Sequence, residues 1–336
     1  MPDLQPLRVA VVGGGAFGRN HLRVYRELEQ AGEAVELAGV VDSDSAVAAD
    51  ASQKFGVPWF ATIEACLAAV GRLDAASICV PTVHHASAAE PLLVAGVDLL
   101  IEKPLAANLA DADRILELSR KHGRIVQAGH LERFNPAVTA AREHLHQPMF
   151  FESHRLSVFT PRSLDVDVVL DLMIHDLDIV LSLVDSPVRE VRAVGLPVLS
   201  RKVDIANVRL EFENGCVANF TASRVSTERV RKLRFFQPKQ YVSLDYGRQD
   251  VLVFSVGQDD ASGTPSANPQ IQVTKPPTTS EEPLHAELKS FLKSVQRRST
   301  PTVTLEDGRR ALAIALDIVT SIEAHGRKID LERLHA

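Results

Sequence analysis

The segment Arg8–Gly18 has the sequence RVAVVGGGAFG, in which a run of β-branched and small apolar residues leads directly into three glycines. A helical pattern follows over residues 20–30, so the segment predicts a strand, a tight turn and a helix. The glycines have the G-x-G-x-x-G spacing of dinucleotide-binding turns. Gly13 permits the turn, Gly15 lets a pyrophosphate approach the backbone, and Gly18 lets the helix pack closely on the strand.

A second apolar run, Val35–Val41, ends in Asp42, which follows Gly18 by 24 positions. An acidic residue at about this distance is typical of a carboxylate that accepts a hydrogen bond from a ribose 2′-hydroxyl. Ser43 and Asp44 come next, and there is no arginine nearby to accept a 2′-phosphate. The free N–H groups of the helix N-terminus would meet the phosphates. The sequence therefore predicts NAD binding rather than NADP binding.

The composition is that of an ordinary soluble protein and argues against a general nucleic-acid or anionic-membrane binder. The 336 residues are 45% hydrophobic and 24% charged, with a net charge of −6. No apolar run is long enough to span a bilayer, and MPDLQPL lacks the basic and apolar regions of a secretory signal. Cys66, Cys79 and Cys216 are widely spaced and form no C-x-x-C pair. We expect a cytoplasmic protein with reduced thiols.

The length suffices for two domains of different architecture. Strand and helix patterns alternate through the first 130 residues, which predicts an α/β, Rossmann-type doubly wound parallel sheet over residues 1–130. From Met149 onward, short strand patterns joined by turns predict an α+β domain over residues 131–336, with an open-faced, mainly antiparallel sheet and two C-terminal helices. Residues 257–283, rich in Gly, Ser, Thr and Pro, predict a loop with a short strand near 271–273.

The predicted helix over residues 167–184 carries short acids and one histidine but no long charged side chain. Asp167, Asp171, His175 and Asp178 recur at helical spacing on one face, which favours the wall of an enclosed polar cavity. We interpret Asp167 as a helix N-cap, and Asp171 with His175 as a functional pair.

Several motifs together resemble the Gfo/Idh/MocA family of nicotinamide-dependent sugar and cyclitol oxidoreductases, and the resemblance covers essentially the whole chain. Besides the glycine turn, they are PTVHH at 81–85, EKP at 102–104, GHLERFNP at 129–136 and DLMIHDLD at 171–178. The resemblance implies that Lys103, Asp171 and His175 are catalytic. It implies no metal. Val168, Val169 and Met173 stand where many members have glycine, which affects the expected shape of the substrate pocket.

The predicted chemistry is the oxidation of a secondary hydroxyl. His175 would accept the hydroxyl proton, Asp171 would orient it, and Lys103 would stabilise the developing alkoxide. The predicted cofactor-binding residues are Gly13, Gly15, Ala16, Phe17, Gly18, Asp42, Pro81, Thr82, His85, Glu102 and Lys103.

Within the family, the motifs most resemble the branch that oxidises the 3-hydroxyl of UDP-N-acetylglucosamine for amino-sugar lipid A synthesis. A diphosphate needs local arginines, and we expect Arg133, Arg155 and Arg162 to bind the substrate together with His175. A homodimer or homotetramer through the C-terminal sheet is implied.

Three alternatives stay open beside this interpretation. The chain could act on a free sugar or a cyclitol, or it could be a non-catalytic NAD-binding regulator. The third alternative concerns the basic run over residues 224–239, which is expected on solvated strand faces and subunit contacts, while part of it could instead meet phosphate.

Overall fold

The computed structural model describes residues 5–160, 166–257 and 270–328. These residues form two compact units. The first comprises the described residues up to Leu131 together with Glu282–Leu312, and the second comprises Glu132–Glu281 and the described residues from Ala313 onward. Each unit has its own sheet.

The sheet of the first unit has six parallel strands in the order β3-β2-β1-β4-β5-β6. The strands are β1 Leu7–Val12, β2 Val35–Val41, β3 Trp59–Phe60, β4 Ala75–Ile78, β5 Asp98–Glu102 and β6 Val126–Gly129. Their near-continuous burial is typical of a parallel sheet covered on both faces. Strand order reverses direction at β1, and ligands bind at such a switch point. The predicted α/β fold class is confirmed.

The helices that join these strands are α1 Ala16–Gln30, α2 Ser45–Phe55, α3 Ile63–Val70, α4 His85–Val94 and α5 Leu109–His122. Local sequence explains where several of them begin. The side chains of Asp44, Thr62 and Asn108 accept backbone N–H groups in the first turns of α2, α3 and α5. Gly56 and Gly123 end α2 and α5 in the left-handed conformation.

The sheet of the second unit has eight strands in the order β14-β13-β12-β11-β7-β10-β9-β8. The strands are β7 Phe150–Leu156, β8 Val188–Leu196, β9 Ile205–Phe212, β10 Val217–Ser223, β11 Val230–Gln237, β12 Gln240–Asp245, β13 Asp250–Val256 and β14 Ile271–Thr274. All pairs are antiparallel except β7 with β10. Burial alternates along β7 and β11, so one face is covered and the other is open. Strand β13 has no counterpart in the sequence prediction.

Two helices lie within the second unit before its last strands: α6 Pro136–Arg142, which the sequence prediction lacks, and α7 Ile174–Leu183. A five-residue π-helical segment, Val169–Met173, immediately precedes α7. The predicted single helix over 167–184 is therefore two segments with different hydrogen bonding. Across the described ranges, no helix is long and apolar enough to cross a membrane.

The C-terminal helices are α8 Pro283–Arg297 and α9 Leu305–Lys328. We assigned both to the second domain, but α8 belongs to the first unit. Its apolar face, including Leu288 and Phe291, packs into the same core as Val9 and Tyr25. Burial of this stripe against α1 and the parallel sheet explains the difference, because an amphipathic helix joins whichever core accepts its apolar face. Helix α9 begins in the first unit and ends in the second.

Candidate active site

The glycine turn between β1 and α1 is shaped by close backbone contacts. Gly13 has a φ of 102°, and a Cβ there would lie 2.7 Å from the carbonyl carbon of Cys79. A Cβ on Gly18 would lie 1.7 Å from the carbonyl oxygen of Gly13. Gly15, by contrast, has no atom within 4 Å of its Cβ position among its described neighbours. Gly13 and Gly18 thus hold strand and helix together, while Gly15 leaves the space that a phosphate group needs at the start of α1.

The Asp42 carboxylate at the end of β2 is held in place by two backbone groups. Its Oδ2 accepts from the N–H of Gly14 at 2.7 Å, and its Oδ1 accepts from the N–H of Asp44 at 2.9 Å. Each oxygen keeps a further acceptor site for a ribose hydroxyl. The side chain is partly exposed, as a ligand contact requires.

A cavity of about 600 Å³ opens beside these residues in the first unit. Of the predicted cofactor-binding residues, its wall includes Gly13, Gly15, Asp42 and Pro81. The wall also contains residues that the sequence analysis missed, among them Ser43, Val47, Thr62, Ile63, His84 and Ser87. Size, mixed polarity and the placed carboxylate fit the adenosine and phosphate parts of a dinucleotide. Thr62 and Ile63 follow β3, whose two residues are too few to give a strand pattern in the sequence.

His85 is placed differently from our expectation. Its side chain is only 1% exposed and does not contribute to the cavity wall, whereas His84 does. The ring lies between two backbone carbonyls, with Nε2 3.0 Å from the oxygen of Val80 and Nδ1 3.3 Å from that of Leu105, and a neutral ring donates a hydrogen bond to one of them. Burial lowers the pKa of His85, which favours a neutral ring. In this structure His85 braces the loop after β4, and His84 is the histidine available to a ligand.

Glu102 ends β5 and is buried at 6% exposure. Its Oε1 lies 3.0 Å from Nε2 of His21, and its Oε2 accepts from the N–H of Lys103 at 3.3 Å. The carboxylate therefore ties α1 to the turn that carries Lys103, and its oxygens face protein groups. Lys103 itself is partly buried and precedes Pro104 through a cis peptide bond. These contacts favour a role for Glu102 in positioning Lys103 over the predicted direct contact with the cofactor.

Asp171 and His175 lie in the second unit, where the π-helical segment passes into α7, and both are partly buried. π-Helical turns are rare and often occur at functional sites, because they re-aim side chains. Asp167 does not cap the helix. Its carboxylate accepts a hydrogen bond from the N–H of Val203 at 3.0 Å, so it connects the start of the helical segment to the residues that lead into β9.

The structure does not support a direct substrate contact by Arg155 or Arg133. The guanidinium of Arg155 is 4% exposed, forms two hydrogen bonds to Asp176 at 2.6 and 3.2 Å, and reaches Glu132 at 3.2 Å. Arg133 forms two hydrogen bonds to Asp178 at 2.6 and 2.9 Å. Both arginines are thus engaged by buried carboxylates. Arg162 lies outside the described residues.

Asp178 also differs from our expectation of a cavity wall, because it is 1% exposed and bonded to Arg133. No local pattern in the sequence pairs these arginines with these acids. Asp176 and Glu132 are far from Arg155 in the chain, and the pairing depends on β7 lying beside α7. Tyr246 completes this cluster, its ring centroid 5.1 Å from the guanidinium carbon of Arg155.

The thiols of the chain carry no sign of reactivity. Cys66 and Cys216 are buried, and burial raises the pKa of each to about 11. Burial also raises the pKa of the Cys79 thiol. Within the described ranges, no group of three or more His, Cys, Asp or Glu side chains could hold a metal ion.

Two family models match successive parts of the chain. The model "Oxidoreductase family, NAD-binding Rossmann fold" matches residues 7–130, and the "GFO/IDH/MocA C-terminal domain" matches residues 125–239. The chain belongs to the Gfo/Idh/MocA family. It is an NAD-dependent sugar dehydrogenase, an oxidoreductase that acts on a CH–OH group.

Similar proteins cover the chain almost from end to end. UDP-N-acetylglucosamine 3-dehydrogenase of Acidithiobacillus ferrooxidans is 34% identical over 320 residues, covering 95% of this chain and 98% of that protein. Its solved structure gives a TM-score of 0.86 at 33% identity, covering 96% and 99% of the two chains. Myo-inositol 2-dehydrogenase of Thermotoga maritima is 26% identical over 344 residues, covering 98% and 99%. Levoglucosan dehydrogenase, solved with NADH and levoglucosan, shares the fold at a TM-score of 0.82 and 17% identity.

Proposed function

We propose that this enzyme oxidises the 3-hydroxyl of UDP-N-acetylglucosamine to the 3-keto sugar with NAD. The observation that carries the proposal is the 34% identity to UDP-N-acetylglucosamine 3-dehydrogenase over 95% of the chain. Myo-inositol 2-dehydrogenase of Thermotoga maritima matches at 26% identity over 98% of the chain, which supports a free cyclitol as a second candidate. The keto product suits an aminotransferase, and we extend the proposal to amino-sugar lipid A synthesis.

The residue roles follow from side-chain chemistry. NAD, when bound, accepts the hydride at its nicotinamide ring. His175 takes the hydroxyl proton, because a partly buried imidazole can serve as a base near neutral pH. Asp171, four positions earlier, orients the proton-accepting group. Lys103 stabilises the negative charge that develops on the oxygen, a role in which a preorganised cation contributes strongly. Asp42 binds the ribose of the cofactor.

The experiment that tests this proposal compares substrates at equal concentration with NAD, following NADH at 340 nm. UDP-N-acetylglucosamine should support NADH formation, whereas free N-acetylglucosamine and myo-inositol should barely do so. A carbonyl trap or an aminotransferase belongs in every assay, because the equilibrium of such an oxidation favours the alcohol. Turnover of myo-inositol or a free hexose, without turnover of the nucleotide sugar, would overturn the substrate assignment and leave the NAD-dependent chemistry standing.

We also propose that the enzyme is a homo-oligomer, a dimer or a tetramer, paired through the open face of the eight-stranded sheet. Phe150, Phe236, Tyr241 and Phe254 stand directly opposite one another across four strands, with neighbouring ring centroids 4.3–5.5 Å apart. All four are only partly buried, and such an apolar row suits contact with a second copy of the same face. Tyr241→Lys should lower the mass measured by analytical ultracentrifugation, and an unchanged mass would contradict this interface.

A further inference from the structure

Arg155 and Arg231 form an arginine cluster with Asp176, Glu132 and Tyr246 at one end of the second sheet. The acidic side chains of this cluster pair with only one of the two arginines. Arg231 on β11 stands directly opposite Arg155 on β7. The alternation along β11, in which Leu233 and Phe235 are buried, places Arg231 on the same covered face as Arg155. Like charges directly opposite each other in a sheet are unfavourable. The two arginines therefore stand side by side on one face, an arrangement that is unfavourable unless other groups compensate.

The carboxylates in this region neutralise Arg155 rather than Arg231. Asp176 and Glu132 both bond to the Arg155 guanidinium at 2.6–3.2 Å. The Arg231 side chain has no ion pair or hydrogen bond with any described residue, and it is exposed. Burial of the surrounding region and repulsion from Arg155 lower the pKa of Arg231, and the exposed Arg229 adds to the repulsion. Attraction to Glu132 and Asp176 opposes this shift without reversing it.

The position of Arg231 relative to the reacting group is the second observation. Asp176, which holds Arg155, directly follows His175 in α7. The backbone oxygen of Arg231 accepts from the N–H of Tyr246, whose ring covers the same Arg155 guanidinium. Arg231, Arg155 and the start of α7 thus belong to one cluster inside the second unit. In a nucleotide sugar the diphosphate is bonded to C1 of the ring whose 3-hydroxyl reacts, so its binding site must lie within a sugar's length of the base.

We propose that Arg231 is the residue that binds the substrate diphosphate, in place of the buried Arg155. Arg155 acts as a positioning residue, because it is engaged by two carboxylates and holds β7 against α7. No described residue bonds to the planar guanidinium of Arg231, so its donors can bind phosphate oxygens, and an anion bound there offsets the repulsion from Arg155. The inference rests on the proposed nucleotide-sugar activity and identifies the residue that distinguishes a nucleotide sugar from a free sugar.

The test is calorimetric titration of UDP into the enzyme saturated with NAD, so that the cofactor site is already filled. Arg231→Ala should weaken UDP binding about tenfold or more. Arg231→Lys should lose less UDP affinity, because an ammonium group keeps the positive charge but cannot form the two parallel hydrogen bonds of a guanidinium. The matched control is Arg192→Ala, an exposed arginine on the edge strand β8 that pairs with Glu190. Its UDP affinity should equal that of the wild type. NAD affinity and melting temperature serve as checks on folding, and neither should fall in Arg231→Ala.

Steady-state kinetics separate this inference from the proposed function. Arg231→Ala should raise the KM for UDP-N-acetylglucosamine by about tenfold while kcat stays within about threefold, as expected for uniform binding energy. Equal UDP affinity in Arg231→Ala and Arg192→Ala, or no UDP binding by the wild type, would overturn the inference. If the wild type oxidises UDP-N-acetylglucosamine but Arg231→Ala keeps its KM, only the inference fails. If UDP binding depends on Arg231 but the nucleotide sugar is not oxidised, only the proposed function fails.

Discussion

The cofactor cavity of the first unit and the arginine cluster of the second are built in opposite ways. In the cavity, backbone N–H groups hold the Asp42 carboxylate, and Gly15 leaves open space beside the start of α1. In the cluster, the guanidinium of Arg155 is hydrogen-bonded to two buried carboxylates, those of Asp176 and Glu132. A site built from backbone and glycine can be found from local spacing. An ionic site can be found only once every charge has been matched with its partner.

The comparison also separates residues that bind from residues that hold the fold. Breaking a buried ion pair leaves one charge without compensation, which is costly, whereas removing an exposed charge costs little. Arg155 is therefore expected to contribute to stability, while we propose that Asp42, Lys103 and His175 act in cofactor binding and catalysis. The following predictions test that division, beginning with the largest expected effect.

Removal of the proposed chemical groups should give the largest change in turnover. Lys103→Ala and His175→Ala should each lower turnover about 10²-fold or more, because proton transfer and charge stabilisation act in the transition state. NAD affinity, measured by calorimetry, should be nearly unchanged. If the variants fold and keep near-normal turnover, neither residue takes part in the chemistry, and the proposed catalytic roles are wrong.

Arg155→Met should destabilise the protein by about 3–5 kcal/mol, because Asp176 and Glu132 would remain buried without their cation. Urea denaturation measures the loss. The matched control is Arg192→Met, whose side chain is 74% exposed and whose removal should change stability little. If Arg155→Met keeps its stability and instead loses only UDP affinity, then Arg155 binds the substrate after all.

Asp204 should make stability depend on pH in the acid range. Burial acts to raise its pKa, but hydrogen bonds from Ser200, Leu199 and Val198 prevail and hold the pKa at about 2. A carboxyl whose pKa falls on folding stabilises the protein above its unfolded pKa of about 4, and that contribution is lost as pH falls toward 2. We expect about 2 kcal/mol of stability at neutral pH to depend on this carboxylate.

The measurement is the free energy of unfolding between pH 6 and about pH 2. Asp204→Asn should flatten the acid slope relative to the wild type. Glu213→Gln, at an exposed position beside the β9–β10 turn, is the control and should leave the slope unchanged. An unchanged slope in Asp204→Asn would show that another carboxyl governs the acid response.

The smallest expected effect concerns cofactor choice. Asp42→Ala should weaken NAD binding by about tenfold, since a hydrogen bond to a charged group is lost, and should narrow the gap between NAD and NADP. Calorimetry with both dinucleotides measures the gap. Asp42→Asn separates loss of charge from loss of the side chain. Equal or tighter NADP binding by the wild type would contradict the role of this carboxylate.

The sequence predicted the parts of the fold that depend on local pattern. The glycine turn and the strand at Val35–Val41 lie where the sequence predicted them, because the glycine spacing and the hydrophobic pattern act over a few positions. Helix α8 was assigned to the wrong core, because an apolar stripe does not say which of two cores will bury it. The sequence also did not reveal that His84, rather than His85, faces the cavity, because that depends on a single turn of 3₁₀-helix.

The ion-pair partners of the arginines could not be predicted from the sequence for a different reason. Arg155 meets Asp176 across 21 positions, and Glu132 across 23, through the packing of α7 on the sheet. No local period encodes such a pairing. The sequence therefore predicted that Arg155 binds the substrate diphosphate, and we propose Arg231 in its place.

The most direct test of the central claim uses UDP-N-acetylglucosamine carrying deuterium at C3 of the sugar. With NAD, the wild-type enzyme and a carbonyl trap, mass spectrometry should find the deuterium transferred to the reduced nicotinamide, and the trapped sugar should have lost it. His175→Ala should show little transfer over the same time. NADH formed without deuterium would place the oxidation at another carbon, and the absence of any NADH under trapping conditions would contradict the proposed activity altogether.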